Sequence, residues 1–168
     1  MAPLAETLFS VVRAISDQLE TKKQEKRAVD FGDLEHLSLR LLVRETDAGY
    51  ERTAEAEAVS ERFDEIMVDE YQDTNETQDL LFRAVSREEQ NLFMVGDVKQ
   101  SIYGFRQAMP RLFLDRKNTF SPYRREAPQF PAYILLDRNF RSRREVTSAV
   151  NFVFNQLMSR RAGDVDYR

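Results

Sequence analysis

The sequence predicts an α/β protein in which helices flank a parallel sheet and a helical segment precedes that sheet. Two short apolar runs, 66–68 and 92–95, are each followed by acidic or turn residues, as in strands buried on both faces. A helical pattern lies between the runs, and strand–helix–strand at this spacing is typical of parallel strands. The N-terminal segment instead carries a long amphipathic pattern.

The first 60 residues are predicted to be mainly helical. Apolar residues recur at helical spacing over 4–28, and a second such pattern covers 34–43 after a break at Phe31. Gly49 marks another break. The acidic stretch 51–62 fits either a helix or a poorly ordered loop.

Turn and capping signals organise the rest of the chain. A capping box at 75–78 opens the helix between the two predicted strands. Three prolines make 121–131 the best candidate linker. We expect a third strand over 132–136, and then a helix to about residue 158 that begins with a capping box at 142–145.

Composition excludes several classes of protein. The 168 residues include 42% apolar residues and 12 Phe but only 5 Gly and 5 Pro, which predicts a folded core rather than disorder. The absence of cysteine excludes disulfides and thiolate metal sites, and the single histidine, His36, argues against a histidine-based metal site. Neither a signal peptide nor a membrane span is evident, so we expect a cytoplasmic location.

Charge divides the chain into two parts. Residues 1–98 carry 11 Lys and Arg against 23 Asp and Glu, whereas residues 99–168 carry 14 against 6. The acidic first part argues against a chain that binds nucleic acid along its whole length. The basic second part, with Phe and Tyr interleaved, fits contact with a phosphate backbone or a nucleotide, although a solvated surface explains it equally well.

Two adjacent acids at the end of the first predicted strand, Asp69 and Glu70, predict a nucleotide site. Ligands of open parallel sheets bind beyond the carboxyl ends of the strands. One acid there can coordinate magnesium through water, and the other can orient and deprotonate an attacking water. Adjacent acids are common, so the pair alone is weak evidence, but the string VDEYQDTN is more specific.

Three strings resemble motifs of superfamily-one helicases of the UvrD, Rep and RecB kind. VDEYQDTN resembles motif II, GDVKQSIYGFRQA at 96–108 resembles motif III, and LDRNFRSR at 136–143 resembles motif IV. The resemblance implies a partial RecA-like (P-loop NTPase) parallel sheet flanked by helices. The sequences of motif III and of the C-terminal tail resemble the AddA group of the bacterial AddAB helicase–nucleases more than UvrD or Rep.

The resemblance also implies a division into four segments. Residues 1–48 would return from an inserted helical subdomain, and 49–120 would form part of the first RecA-like motor domain with motifs II and III. Residues 121–131 would be a linker, and 132–168 would begin the second RecA-like domain with motif IV.

Roles in ATP hydrolysis follow from the matched positions. Asp69 would bind Mg²⁺, and Glu70, beside the metal, would be the general base. Gln100 would sense the γ-phosphate, and Arg141 would stabilise the charge that develops there. Phe140 would pack against the nucleotide base.

Three residues match DNA-binding positions of the family: Tyr103, Phe105 and Arg106. Stacking on aromatic rings stabilises single-stranded DNA by about 1–3 kcal/mol per base and tolerates any sequence, which suits a motor. Taken without the motif, the two aromatic residues would be interpreted as core residues, Gln100 as a loop amide and Arg141 as a surface arginine.

The implied function is that of an ATP-dependent 3′–5′ DNA helicase/nuclease subunit in double-strand-break repair and recombination. Its implied cofactors are ATP and Mg²⁺, and its implied partners are single-stranded or double-stranded DNA and an AddB-like subunit. The nuclease would lie elsewhere in a longer protein. Because the sequence contains no GxxxxGK[ST] loop, we expect this chain alone to be inactive and to hold no cofactor.

Three alternatives stay open. The first is a UvrD/Rep-like repair helicase without a nuclease. The second is a non-catalytic DNA- or partner-binding module that has lost ATPase activity. An acidic helical scaffold would explain residues 1–60 but not the three motifs.

Overall fold

A computed structural model describes residues 2–159 and Tyr167, except for the side chains of Ala2, Pro3 and Arg106. The described residues form six α-helices: α1 (Ala2–Lys26), α2 (Phe31–Leu42), α3 (Ala54–Ser60), α4 (Glu76–Val85), α5 (Pro110–Thr119) and α6 (Arg144–Leu157). They form six strands: β1 (Val43–Thr46), β2 (Gly49–Arg52), β3 (Ile66–Val68), β4 (Leu92–Met94), β5 (Ser121–Pro122) and β6 (Ala132–Tyr133). Three 3-10 helices cover Tyr71–Asp73, Val98–Gln100 and Gly104–Arg106.

Helices α1 and α2 confirm the predicted helical N-terminus, but α2 begins earlier than expected. Asp30 and Asp33 form a capping box, since each side chain accepts the backbone N–H of the other residue, at 2.9 and 2.8 Å. Lys23, near the end of α1, lies 2.8 Å from a carboxylate oxygen of each. The predicted break between the two helices is confirmed, but it lies at 27–30 rather than at Phe31, because Phe31 begins the first turn of α2.

A β-hairpin replaces the predicted break at Gly49. Strands β1 and β2 pair antiparallel, with Thr46 opposite Gly49. Gly49 has a φ of +123°, a conformation that glycine adopts without strain. The acidic stretch that follows forms α3, and the Thr53 hydroxyl caps it by accepting the N–H of Ala56 at 3.2 Å.

Strands β3 and β4 confirm the predicted strand–helix–strand unit. They pair in parallel, with Ile66 opposite Leu92. Between them in the chain comes α4, which begins at the predicted capping box of Asn75 and Gln78. The prediction that these strands are buried on both faces is wrong, because Met67 of β3 is exposed. Two paired strands make a small parallel sheet, and a larger RecA-like sheet stays a prediction.

The C-terminal elements differ more from the prediction. The expected linker contains β5, which pairs in parallel with β6, and β6 spans two residues rather than 132–136. The capping box predicted at 142–145 is wrong, because Arg143 is the N-cap of α6 and caps it with no side-chain hydrogen bond. Instead, the Asn139 side chain accepts the N–H groups of the next loop residues.

The core lies among α2, α3 and α4. Leu42, Ala56 and Ala84 are buried there, and the half-buried Arg52 donates to the carbonyl of Ala84 at 3.0 Å. One face of α1 leaves apolar side chains exposed, including Leu8. Every helix in the described ranges is too short or too polar to cross a membrane.

Candidate functional site

The predicted acid pair lies where two parallel strands end side by side. Asp69 and Glu70 follow β3, and Gly96 and Asp97 follow β4 at the same edge. Both acids are exposed. Glu70 adopts the left-handed backbone conformation (φ 51°, ψ 39°), which is uncommon for a residue other than glycine. This turn directs the chain away from the strand immediately after the acid pair.

Backbone hydrogen bonds hold the turn against the end of β4. The N–H of Val95 donates to the carbonyl of Val68 at 2.9 Å, and the N–H of Tyr71 donates to the carbonyl of Val95 at 2.9 Å. The Glu70 N–H donates to Oδ1 of Asp69 at 2.9 Å. The turn is therefore fixed from both sides, which explains how the unusual conformation of Glu70 is kept.

Gln72 connects the acid pair to the loop after β4. Its side-chain Nε2 donates to Oε2 of Glu70 at 2.6 Å, and its Oε1 accepts the N–H of Asp97 at 3.0 Å. The residue is 1% exposed. Both ends of a buried amide are thus satisfied, as burial of such a group requires.

Gly96 makes this close approach possible. A Cβ placed on Gly96 would lie 2.6 Å from Oε1 of Gln72, and 3.2 and 3.3 Å from the backbone nitrogens of Gln72 and Tyr71. Any side chain would therefore push the two loops apart at the point where they are joined.

Asp97 extends the connection to Gln100. Its carboxylate accepts from Nζ of Lys99 at 2.8 Å, from the N–H of Lys99 at 3.1 Å and from Nε2 of Gln100 at 3.2 Å. Burial raises the pKa of Asp97, but the hydrogen bonds from Lys99 and Gln100 outweigh it and the pKa lies below its usual value. Glu70 and Gln100 are thus linked through Gln72 and Asp97.

A polar network around the buried Tyr71 lies behind the acid pair. The Tyr71 hydroxyl donates to Asp79, and Arg116 of α5 donates from Nε to Tyr71 at 3.0 Å and from Nη2 to Asp79 at 2.8 Å. Arg116 also pairs with Glu89. Burial and then the bond to Asp79 raise the pKa of Tyr71. Burial lowers the pKa of Arg116, but the two carboxylates outweigh it and raise that pKa.

The predicted DNA-binding residues lie in the loop that follows Gln100. The rings of Tyr103 and Phe105 are 5.8 Å apart between centroids, and these residues are 38% and 77% exposed. They are not core residues, so the structure leaves aromatic surface where the motif predicts contact with bases. The side chain of Arg106 lies outside the described part of the chain.

Phe140 and Arg141 occupy an exposed loop before α6. Phe140 is 90% exposed. The Asn139 Oδ1 accepts the N–H of Arg141 at 3.0 Å and the N–H of Ser142 at 2.9 Å, which sets the shape of this loop. In the described part of the chain, no hydrogen bond or ion pair joins Arg141 to Glu70 or to the residues linked with it.

The acid pair fits what a magnesium ion would need in a nucleotide site. Among the residues that the structure describes, no group of three or more His, Cys, Asp or Glu side chains forms a complete metal site. Magnesium keeps several waters and takes only one or two carboxylates when phosphates supply further oxygens. Asp69 and Glu70, two exposed carboxylates at a strand end, match that smaller donor set.

Sequence reasoning missed Gln72, Gly96 and Arg116. Gln72 lies inside VDEYQDTN, and an amide two positions after an acid pair was the available signal. Arg116 gave no local signal, because Tyr71 and Asp79 are 45 and 37 residues away.

Comparison with known proteins gives consistent matches. Residues 5–121 match the family described as UvrD/REP helicase N-terminal domain. The chain is 45% identical to an ATP-dependent helicase/nuclease subunit of Bacillus pumilus, over 99% of this chain and 14% of that protein. It is 46% identical to the subunit of the same name from Acetivibrio thermocellus, over 98% of this chain and 13% of that protein. The chain therefore spans a small part of the length of these relatives.

Proposed function

The chain belongs to the UvrD/REP helicase N-terminal domain family, and we propose that it supplies part of the ATP-hydrolysing motor of a DNA helicase. The observation that carries this proposal is the hydrogen-bonded connection from Glu70 through Gln72 and Asp97 to Gln100. A helicase motor must connect hydrolysis to DNA binding. The connection joins the proposed base to the loop that continues into the exposed aromatic residues.

In this proposal Glu70 is the general base. Its exposed carboxylate lies at the end of β3, where a nucleotide in a parallel sheet binds. Asp69 is the residue that would hold Mg²⁺, which supplies charge neutralisation at the phosphates. The proton of the attacking water would pass to a carboxylate oxygen of Glu70.

Gln100 and Arg141 would act on the γ-phosphate from two different segments. The side-chain Nε2 of Gln100 donates to the Asp97 carboxylate, so a phosphate oxygen would compete with Asp97 for this N–H. Arg141 lies in an exposed loop, and we propose that this loop moves toward Glu70 when ATP binds. Phe140, next to Arg141, would then pack against the nucleotide base.

Tyr103, Phe105 and Arg106 would form the DNA contact. Base stacking on the two rings needs no particular sequence, so a motor that steps along every sequence can use it. Gln100 and Tyr103 are three residues apart, so a change at the phosphate would reach the stacked bases through one short loop.

The names of the relatives favour a helicase/nuclease subunit of the AddA group over a UvrD/Rep-like helicase without a nuclease. We propose 3′–5′ movement on single-stranded DNA, a role in double-strand-break repair, and an AddB-like partner protein. We propose a first motor segment over 49–120 and a linker that begins at 121; the end of the family match at residue 121 supports only the boundary between these two segments. The hydrogen-bonded connection between Glu70 and Gln100 argues against the alternative that this chain is a binding module without ATPase activity.

The test is a Glu70→Gln variant in a complete motor. The aligned segment of the Bacillus pumilus relative would be replaced by this chain, and DNA-stimulated ATP hydrolysis and ATP binding would be measured in this chimera. Loss of a general base should lower kcat by roughly 10²–10⁴-fold while ATP affinity stays within about twofold.

Glu65→Gln is the matched control, since Glu65 is an exposed acid just before β3 and should leave kcat unchanged. The 168-residue chain alone, which has no GxxxxGK[ST] sequence, provides the blank. If Glu70→Gln hydrolyses ATP as fast as the chimera with Glu70, the general-base assignment is wrong.

A further inference from the structure

We infer that Gln72 is a positioning residue for hydrolysis, whose buried amide holds the Glu70 carboxylate and couples it to the backbone at Asp97. The inference rests on the proposed function, since Glu70 must be the base for its position to matter. It adds a residue that is too buried to reach nucleotide or DNA but that determines the position of the Glu70 carboxylate, the proposed general base.

The orientation of the Gln72 amide follows from its partners. The backbone N–H of Asp97 can only donate, so the atom that faces it at 3.0 Å must be the amide oxygen. The amide nitrogen then faces the other way and donates to Oε2 of Glu70 at 2.6 Å. A reversed amide would set two donors against each other at Asp97 and two acceptors at Glu70.

Packing prevents Gln72 from leaving this position. Gln72 is 1% exposed, and its neighbours Tyr71 and Thr74 are also buried. Gly96 lies against its amide oxygen, where a Cβ would be only 2.6 Å away. The backbone carbonyl of Gln72 also accepts from Oγ of Ser101, at 3.4 Å. A side chain fixed in this way restricts the exposed carboxylate of Glu70, which would otherwise sample several rotamers.

The same amide makes the position of Glu70 depend on the loop after β4. Asp97 donates its N–H to Gln72 and accepts from Lys99 and Gln100 through its carboxylate. When Gln100 leaves Asp97 for a phosphate oxygen, the Asp97 carboxylate loses one of its contacts with residues 99–100, and the resulting shift of Asp97 would pass to Gln72 through the Asp97 N–H. The Glu70 carboxylate would then be correctly placed for hydrolysis only when the loop after β4, which carries Gln100, is in contact with the phosphate.

Two substitutions at Gln72 separate positioning from packing. Gln72→Met has a similar length and removes both hydrogen bonds. Gln72→Glu keeps an acceptor for the Asp97 N–H but replaces the donor to Glu70 with an oxygen. In the chimera, we expect both variants to lower kcat by roughly 10–100-fold, because misplacement of a catalytic group by about 1 Å costs up to 10² in rate.

The controls use readouts that a purely structural role would change. ATP affinity should stay within about twofold, since the loss is confined to the chemical step. Gln90→Met, at an exposed glutamine in the loop before β4, should match the chimera with Gln72 and Glu70 in kcat, in ATP affinity and in melting temperature.

Each other outcome overturns the inference in a distinct way. If Gln72→Glu keeps full kcat, the donor to Glu70 has no role. If kcat, ATP affinity and melting temperature fall together in both variants, Gln72 only maintains the fold. The Glu70→Gln variant separates the two proposals. If it is fully active, the general-base assignment fails and the positioning role with it, whereas inactive Glu70→Gln with active Gln72 variants rejects only the positioning role.

Discussion

Two regions of the molecule carry motif strings of similar clarity but hold them in different ways. In the paired-strand unit, residues 66–119, Gln72 is 1% exposed and joins Glu70 to Asp97. In the C-terminal segment, residues 121–157, Phe140 is 90% exposed. A motif therefore names candidate side chains for the chemistry, whereas their positions depend on packing that the motif does not contain.

The range of the hydrogen bonds explains the difference. In the paired-strand unit, Arg116 binds Tyr71 and Asp79 across 45 and 37 residues. In the C-terminal segment, Asn139 binds N–H groups only two and three residues away. Local bonds determine the shape of a loop, and long-range bonds determine where it lies. Under the proposed function, ATP would supply the long-range contact for Arg141.

The largest expected effect that separates the regions is a loss of activity without a loss of stability. Arg141→Ala in the chimera should lower kcat by roughly 10³–10⁵-fold, the range for an arginine that stabilises charge on a transferred phosphoryl group. Arg141 is exposed, so the unfolding free energy of the 168-residue chain should change by less than about 0.5 kcal/mol.

Arg138→Ala is the matched control for that variant, because Arg138 is an exposed arginine in the same loop. It should leave kcat within about threefold of the unsubstituted chimera, as expected for a surface residue away from the chemistry. Equal losses for Arg138→Ala and Arg141→Ala would mean that the loop contributes only general positive charge.

The second-largest expected effect is a loss of stability, and it lies in the paired-strand unit. The side chains of Arg116 and Asp79 are 14% and 13% exposed, and Arg116 also donates to the buried Tyr71. Arg116→Met would remove the cationic partner of the largely buried Asp79 carboxylate, which would keep its hydrogen bond from Tyr71, and breaking a buried ion pair destabilises a protein by up to about 3–5 kcal/mol. Urea unfolding of the full chain measures this loss.

Arg111→Met tests whether any arginine of α5 would have the same effect. Arg111 is exposed on the same helix, so its replacement should change the unfolding free energy by less than about 0.5 kcal/mol. If Arg116→Met unfolds at the same urea concentration as Arg111→Met, the network contributes specificity but no net stability.

The boundary between what the sequence predicted and what it missed follows the same division into local and long-range features. The capping box of Asn75 and Gln78 and the parallel strands were predictable, because their signals lie within a few residues. The hairpin of Val43–Thr46 and Gly49–Arg52 was missed because its strands are short and polar.

The candidate site divides in the same way. The position of Glu70 beyond a strand was predictable from the residues before it. The hydrogen bond from Gln72 to Glu70 was not, because it depends on the approach of Gly96 from another strand end. Contacts across the fold decide such geometry, and one sequence does not reveal them.

The smallest predicted effect tests whether close packing at the strand ends distinguishes the two regions. Gly96→Ala adds a methyl group 2.6 Å from Oε1 of Gln72 and 3.2 Å from its backbone nitrogen, and overpacking of this kind destabilises by about 1–3 kcal/mol. At Gly104, by contrast, among the described residues no atom beyond its chain neighbours and its own helical turn lies within 4 Å of an added Cβ. Gly104→Ala should therefore be neutral or stabilising by up to about 1 kcal/mol, since alanine restricts the unfolded chain. Urea unfolding of both variants measures the difference, and equal midpoints would show that the loops at Gly96 separate without loss, so that Gln72 does not hold them together.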